Sequence, residues 1–329
     1  MSVPPALGPG ILDVDPEAES GRICARIVEE LRAMRRRGLV VAMSGGVDSS
    51  TCAALAVRAV GAAKVFGLMM PERDSSPESL ERARDLAGRL GIAWEAEDVT
   101  GALDALGCYR RRDEAIRAVF PRYGEGWKSK IAIAAGRGGA FNYFRLVVRS
   151  PDGTMLESRL PAREYLLVVA ATNFKQRVRK TLEYFHADRL NYAVVGTPNR
   201  LEYDQGFFVK NGDGSADLKP IAHLYKTQVY ALASHLGIPA PIREATPSTD
   251  TYSLHQGQDE FYFALPWDRM DVALWAFNHG VPAAALAARL GIDEAQAAFV
   301  YRDIAAKRSA TRYLHAPPAL VEPVAEVGS

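Results

Sequence analysis

An α/β fold wound on both faces of a parallel sheet (a doubly wound parallel sheet) is the class this sequence predicts, on three observations. Short, mostly apolar runs at 39–43, 64–69 and 192–195 read as strands of the kind covered on both faces, and 92–96 reads as a further short strand. Segments with apolar residues at helical spacing alternate with these runs, which implies right-handed crossovers between parallel strands. The chain has 329 residues, 48% hydrophobic and 24% charged, enough to bury the large core such a sheet needs.

Taken in order, Asp15-Pro16-Glu17 is an N-cap with proline at the first helical position, and Ile23, Ile27, Leu31 and Met34 continue an amphipathic helix toward Gly38. Arg35, Arg36 and Arg37 suit the negative end of its dipole. After the strand at 39–43 and a loop at 44–50, helical character runs to Val60 and stops at Gly61. Ser76-Pro77-Glu78 opens a helix with Leu80, Ala83, Leu86 and Leu90 on one face, ended by Gly91. From 101 to 163 the periodicity breaks. That stretch, with a basic run at 109–112 and a glycine cluster at 136–139, reads as an irregular insertion and a candidate lid. Two β-rich runs inside it, 141–149 and 155–160, flank Pro151-Asp152-Gly153, a hairpin signal. Helices are expected again at 173–185 and 226–236. The expected organisation is an α/β domain from 1–100 and 165–260, an insertion with a β-hairpin at 101–164, and a helical C-terminal region with a tail at 261–329.

Lysine plus arginine, 40, almost cancels aspartate plus glutamate, 39, so no overall field points to nucleic acid or an anionic membrane. The N-terminus carries no leader pattern and no long apolar run follows, so a cytoplasmic location is expected. Cys24, Cys52 and Cys108 are odd in number and widely spaced, which disfavours a disulfide framework and a structural zinc site. The six histidines show no HxH or HxxxH grouping.

The chemistry concentrates in Ser44-Gly45-Gly46-Val47-Asp48-Ser49-Ser50, between the first strand and the next helix. Glycines let backbone N–H groups approach a ligand, serine hydroxyls add donors, and a helix N-terminus after a parallel strand attracts anions. Phosphate is the guest these features suit. The loop lacks the lysine of GxxxxGK[ST], and Asp48 would repel phosphate unless a cation intervened, which implies magnesium.

SGGVDSS resembles the pyrophosphate-binding motif of the ATP pyrophosphatase (PP-loop) superfamily, and further stretches narrow the resemblance to the NAD synthetase family. These are GLMMPERDSSPESLERARDLAGRLGI, NFKQRVRK, GTPNRLE, FFVKNGDGSADLKPIAHLYKTQVYALASHLGIP and PSTD. The resemblance implies that Ser44, Gly45, Gly46, Val47, Asp48 and Ser49 hold ATP phosphates, with Asp48 and Glu202 on magnesium. It implies that Met69 sits near adenine, that Arg177 and Thr197 face the nucleotide, that Lys226 contacts phosphate and that Ser248 lines the reacting centre. Asp48, Lys226 and Thr197 would be the catalytic set. Asn173, Lys210, Asp213 and Asp217 would serve the acyl substrate. Read without the resemblance, Thr197 and Ser248 are turn or cap residues, Arg177 is a solvated helical face, Lys226 a first-turn surface lysine and Glu202 a surface cap.

The implied reaction adenylates a carboxylate with ATP and passes the acyl group to ammonia, forming an amide and releasing AMP and pyrophosphate. Deamido-NAD is the expected acid; a relative acting on a different carboxylic acid, or a PP-loop tRNA-modifying enzyme, is the alternative. No cysteine is placed as the nucleophile of a glutamine-hydrolysing half, so free ammonia or an amine donated by a partner is expected, and the resemblance implies a homodimer. Pro198, Leu201, Asn211 and the hairpin depart from the family pattern, so a divergent member is expected.

Overall fold

Four parallel strands carry the fold: Leu39–Ala42, Val65–Met69, Ala93–Ala96 and Ala193–Val195, in the spatial order third, second, first, last. The computed structural model describes residues 5–135, 142–247, 252–254, 256–257 and 262–324. Each strand starts within a residue of its sequence-based expectation. Side chains alternate as the pleat requires: Leu39, Val41, Val65, Met69, Ala193 and Val195 point to one face, and Val40, Phe66, Leu68 and Val194 to the other. The first face is covered by α1 (Pro16–Ala33), α2 (Val47–Val60), α3 (Pro77–Leu90) and a later helix, Lys226–His235. Ile23, Ile27 and Leu31 supply the buried stripe of α1, and the Asp15 carboxylate caps it by accepting from the Glu17 and Ala18 N–H groups.

The other face is covered by α4 (Thr100–Ala105), α5 (Cys108–Arg117) and the 29-residue α6 (Ala162–Leu190). Here the structure corrects the expectation of irregular chain after 101. The buried side of α5 consists of Cys108, Tyr109, Arg112, Ala115 and Ile116, and a helix that buries an arginine escapes a count of apolar periodicity. Helix α6 begins well before the expected 173, because the run Leu166-Leu167-Val168-Val169-Ala170-Ala171 carries no helical signature of its own.

The hairpin forms as expected, with Asn142–Arg149 antiparallel to Met155–Arg159, but a strand the sequence did not announce, Lys128–Ala135, pairs on the other side of Asn142–Arg149. This three-stranded sheet packs Ile131, Leu146 and Val148 against Ile116, Leu160 and Val168. The glycine cluster at 136–139 lies outside the described residues. Three further helices, Trp267–Asn278, Ala283–Leu290 and Glu294–His315, close a separate apolar layer. Among the described residues no helix is long and apolar enough to cross a membrane.

Candidate active site

The first strand ends at Ala42 and α2 begins at Val47, so the glycine-serine loop is the crossing between them and its last residues are already helical. Gly46 occupies the N-cap without a side chain to bond the first-turn amides, which leaves them for a ligand. The loop is braced by its serines. The Ser44 N–H donates to Ser49 Oγ at 3.2 Å, the two hydroxyls lie 3.0 Å apart, and the Gly46 N–H donates to Ser44 Oγ at 3.3 Å. Gly45 has φ +78°, and a Cβ there would lie 2.1 Å from the Ser79 carbonyl oxygen of α3. Only glycine lets the loop pass so close to that helix.

Asp48, in the first turn of α2, joins two other elements. Its Oδ1 accepts from Asn199 Nδ2 at 3.2 Å and its Oδ2 binds the Lys226 ammonium. Asn199 is the N-cap of α7 (Arg200–Gln205) and accepts from the Leu201 and Glu202 N–H groups, while Glu202 reaches back to the Asn199 N–H at 3.1 Å. Glu202 is therefore a capping residue and a carboxylate beside the loop at once. Lys226 is the first residue of α8, the helix Lys226–His235, and is 2% exposed, so it is no surface lysine. Burial alone would lower its pKa; the Asp48 and Glu202 charges outweigh that and hold it above the usual lysine range.

A cavity of about 690 Å³ opens from this cluster along the ends of the strands. Ser44, Gly46, Val47, Asp48, Ser49, Met69, Asn173, Thr197, Glu202, Asp213 and Lys226 all line it. Gly45 stands behind the loop, with its carbonyl accepting from Arg82 Nε at 3.2 Å. Partial burial pushes the Asp213 carboxyl up from its ordinary value. Ile133 and Phe144 of the three-stranded sheet form part of the wall.

Besides Gly45, three of the residues named from the sequence do not line this cavity. Arg177 is exposed and donates to the Lys210 carbonyl at 3.3 Å. Lys210 donates to the Tyr313 carbonyl at 2.8 Å, against the C-terminal helix. Asp217 accepts the Val194 N–H at 2.7 Å and so completes the last strand of the parallel sheet. Ser248 lies outside the described residues. Two residues on from Arg177, about 200° around the helix, Arg179 faces the cavity and donates to the Met70 carbonyl at 3.0 Å.

Sequence reasoning also missed a buried network beneath the loop that follows Met69. The Lys175 ammonium, fully buried, binds Glu72 Oε1 at 2.7 Å and Asp74 Oδ2 at 3.0 Å. Arg112 donates to Asp74 at 2.6 Å, and Tyr109 to Glu72 at 2.8 Å. These residues come from three separated stretches, so no local spacing betrays them. Removing one member would strand its partners, and this is how the network fixes Met70, Pro71 and Ser75 along the cavity. Glu95, Glu97 and His186 also cluster, at the edge strand, without any sequence motif. His186 Nδ1 accepts from Arg189 at 2.9 Å, so its Nε2 carries the proton that bonds Glu97, and neither ring nitrogen offers a lone pair to a cation.

The sequence model of the NAD synthase family matches residues 19–118 and 152–313. An NH(3)-dependent NAD(+) synthetase of Rhizobium meliloti strain 1021 is 58% identical over 317 residues, covering 96% of this chain and 95% of its own. Two solved structures share the fold. NMN synthetase from Francisella tularensis aligns with a TM-score of 0.62 at 20% identity, covering 95% of this chain and 100% of its own. NH3-dependent NAD synthetase from Campylobacter jejuni subsp. jejuni aligns with a TM-score of 0.61 at 22% identity, covering 94% and 100%. The expectation of a divergent member is overturned, because the Rhizobium protein aligns over 96% of this chain at 58% identity. On the family match and that near-full-length alignment at 58% identity, the chain belongs to the NAD synthase family.

Proposed function

We infer that the chain is an ammonia-dependent ligase that makes NAD from deamido-NAD, with ATP as co-substrate and AMP and pyrophosphate as by-products. The observation that carries this reading is the buried Lys226 ammonium held by Asp48 at the mouth of the glycine-serine loop, beside Glu202. A positive charge, free first-turn amides and hydroxyls converge where phosphate charge must be accommodated. The near-full-length relative named for NH(3) and NAD(+) supports the choice of acid and amine.

Asp48 and Glu202 also fit a divalent ion. Both are hard oxygen donors and both act on the same buried ammonium, so their negative charge is concentrated at one point. Magnesium bound there would neutralise phosphate charge. The rest of the chemistry is positioning. An oxygen of the substrate carboxylate attacks the α-phosphorus of ATP, the α–β bridging bond breaks, and pyrophosphate leaves from the cradle formed by α2 and Lys226. Ammonia then attacks the acyl carbon, AMP departs as leaving group, and the nitrogen gives up a proton. Asp213, a cavity carboxylate with a raised pKa, is suited to accept it. Thr197 and Asn173 also line the cavity. Arg179 braces the Met70 carbonyl beside Met69. The three-stranded sheet, through Ile133 and Phe144, helps keep water from the acyl-adenylate.

The test is product stoichiometry. With ATP, magnesium, an ammonium salt and deamido-NAD, NAD, AMP and pyrophosphate are expected in equal amounts, with no product when ammonium is omitted. Accumulation of ADP would overturn the phosphate chemistry. Turnover of another acid in a panel, with deamido-NAD inert, would overturn the substrate.

The same reading includes a homodimer. Leu167 (46% exposed) and Phe185 (58%) lie about five turns apart on the same side of α6, and Leu166 (65%) adjoins them. A second copy covering this face accounts for them. Leu167→Arg combined with Phe185→Arg is expected to halve the mass seen by sedimentation while the circular dichroism spectrum stays unchanged. A wild-type monomer at micromolar concentration would contradict the dimer.

A further inference from the structure

The N-terminus of α8 is capped from a distance. Tyr225, its N-cap residue, has a phenol that cannot serve the first amides in the way a short Asp or Ser side chain does. The acceptor comes instead from Asp271, in the middle of the helix Trp267–Asn278. Asp271 Oδ1 accepts from the Lys226 N–H at 3.2 Å; Oδ2 accepts from the Thr227 N–H at 2.7 Å and from the Thr227 hydroxyl at 2.7 Å. The carboxylate is wholly buried. Burial pushes it up to about 6, and the bonds from Thr227 and Lys226 with the Lys226 charge restrain the rise.

Lys226 is thus gripped at both ends. Its backbone N–H is held by Asp271 and its ammonium by Asp48. The two capped amides belong to Lys226 and its neighbour, so the bonds that Asp271 makes set where the lysine side chain leaves the helix. We propose that Asp271 is a positioning residue: it aims Lys226 at the phosphate-binding loop and ties the C-terminal helical layer to the site. This rests on the role given to Lys226 above.

A double-mutant cycle on the full chain tests it, with pyrophosphate release as the readout. Lys226→Ala is expected to lower kcat about 100-fold. Asp271→Ala is expected to lower kcat about tenfold with the ATP KM changed less than threefold, since positioning for the transition state is lost while ground-state binding remains. In the Lys226→Ala background, Asp271→Ala is expected to cost nothing further, because no ammonium is left to aim. Asp271→Asn, which keeps an acceptor, is expected to recover most of the lost rate, and if Asp271→Ala does not fold the cycle is run with Asp271→Ser, whose shorter side chain keeps a polar group in the same space but draws the acceptor back from the two amides. Effects that multiply instead of saturating would make Asp271 a structural cap alone and overturn the proposal. Full activity in Lys226→Ala would overturn the site assignment itself, which is a separable result.

Discussion

Asp48→Ala is expected to lower kcat about 1000-fold or more, the largest single effect in the protein. The substitution removes one of the two carboxylates suited to the metal and the direct partner of the Lys226 ammonium. It also leaves that ammonium 2% exposed with only Glu202 to balance it. Breaking one side of a buried pair costs ~3–5 kcal/mol, and the remaining carboxylate should keep the loss near the lower end. Denaturant unfolding should therefore show a lower midpoint with an unchanged slope. Asp48→Asn separates the two consequences. It can keep the contact to Asn199 at nearly the same shape, so its stability should stay closer to wild type while turnover is lost to the same extent. Undiminished pyrophosphate release in either variant would remove Asp48 from the chemistry.

Gly45→Ala should damage the cradle nearly as severely, for a reason that is wholly steric. At φ +78° an L side chain costs ~1–2 kcal/mol, and the new Cβ would stand 2.1 Å from a backbone carbonyl oxygen that cannot swing away as a side chain could. Either the loop or the start of α3 must shift, and a displacement of about 1 Å at a positioning element costs about 100-fold. The expected result is an ATP KM raised about 100-fold with native circular dichroism. Gly46→Ala is the control. The backbone of Gly46 is extended at φ −91° and a Cβ would meet only Ser44 Oγ, at 3.4 Å. Its effect should stay below tenfold. Equal behaviour of the two alanine variants would show that the close approach to Ser79 does not shape the site.

Much of the side of the site proposed for phosphate was legible in the chain as local structure, because its determinants are neighbours in sequence. The loop from Ser44 to Ser50, the strand before it and the helix after it lie within a few residues of one another, and their geometry follows from glycine freedom, strand apolarity and helix periodicity. Glu202 was legible in the same way, through GTPNRLE, although its second role in the α7 capping box needed coordinates. Arg177 shows the limit of that reading. Within NFKQRVRK the helical phase is not marked by any apolar stripe, and the structure turns Arg177 outward and Arg179 into the cavity.

Residues brought together from far apart were decided only on folding. Lys226 reads as a surface lysine until α8 is packed on α2, and Asp271 reads as one more helical carboxylate until it meets an amide 45 positions earlier. Lys175, Glu72, Asp74 and Arg112 look like ordinary surface charges, yet they neutralise one another in the interior. The strand Lys128–Ala135 is likewise defined by its partner, because pairing to Asn142–Arg149 supplies the hydrogen bonds that its own composition does not demand. Local periodicity and short motifs are enough to specify the sheet, its covering helices and the glycine-serine loop between the first strand and α2. Which charges end up buried, and against which partner, depends on desolvation and on contacts between distant segments, and no stretch of chain carries those terms alone.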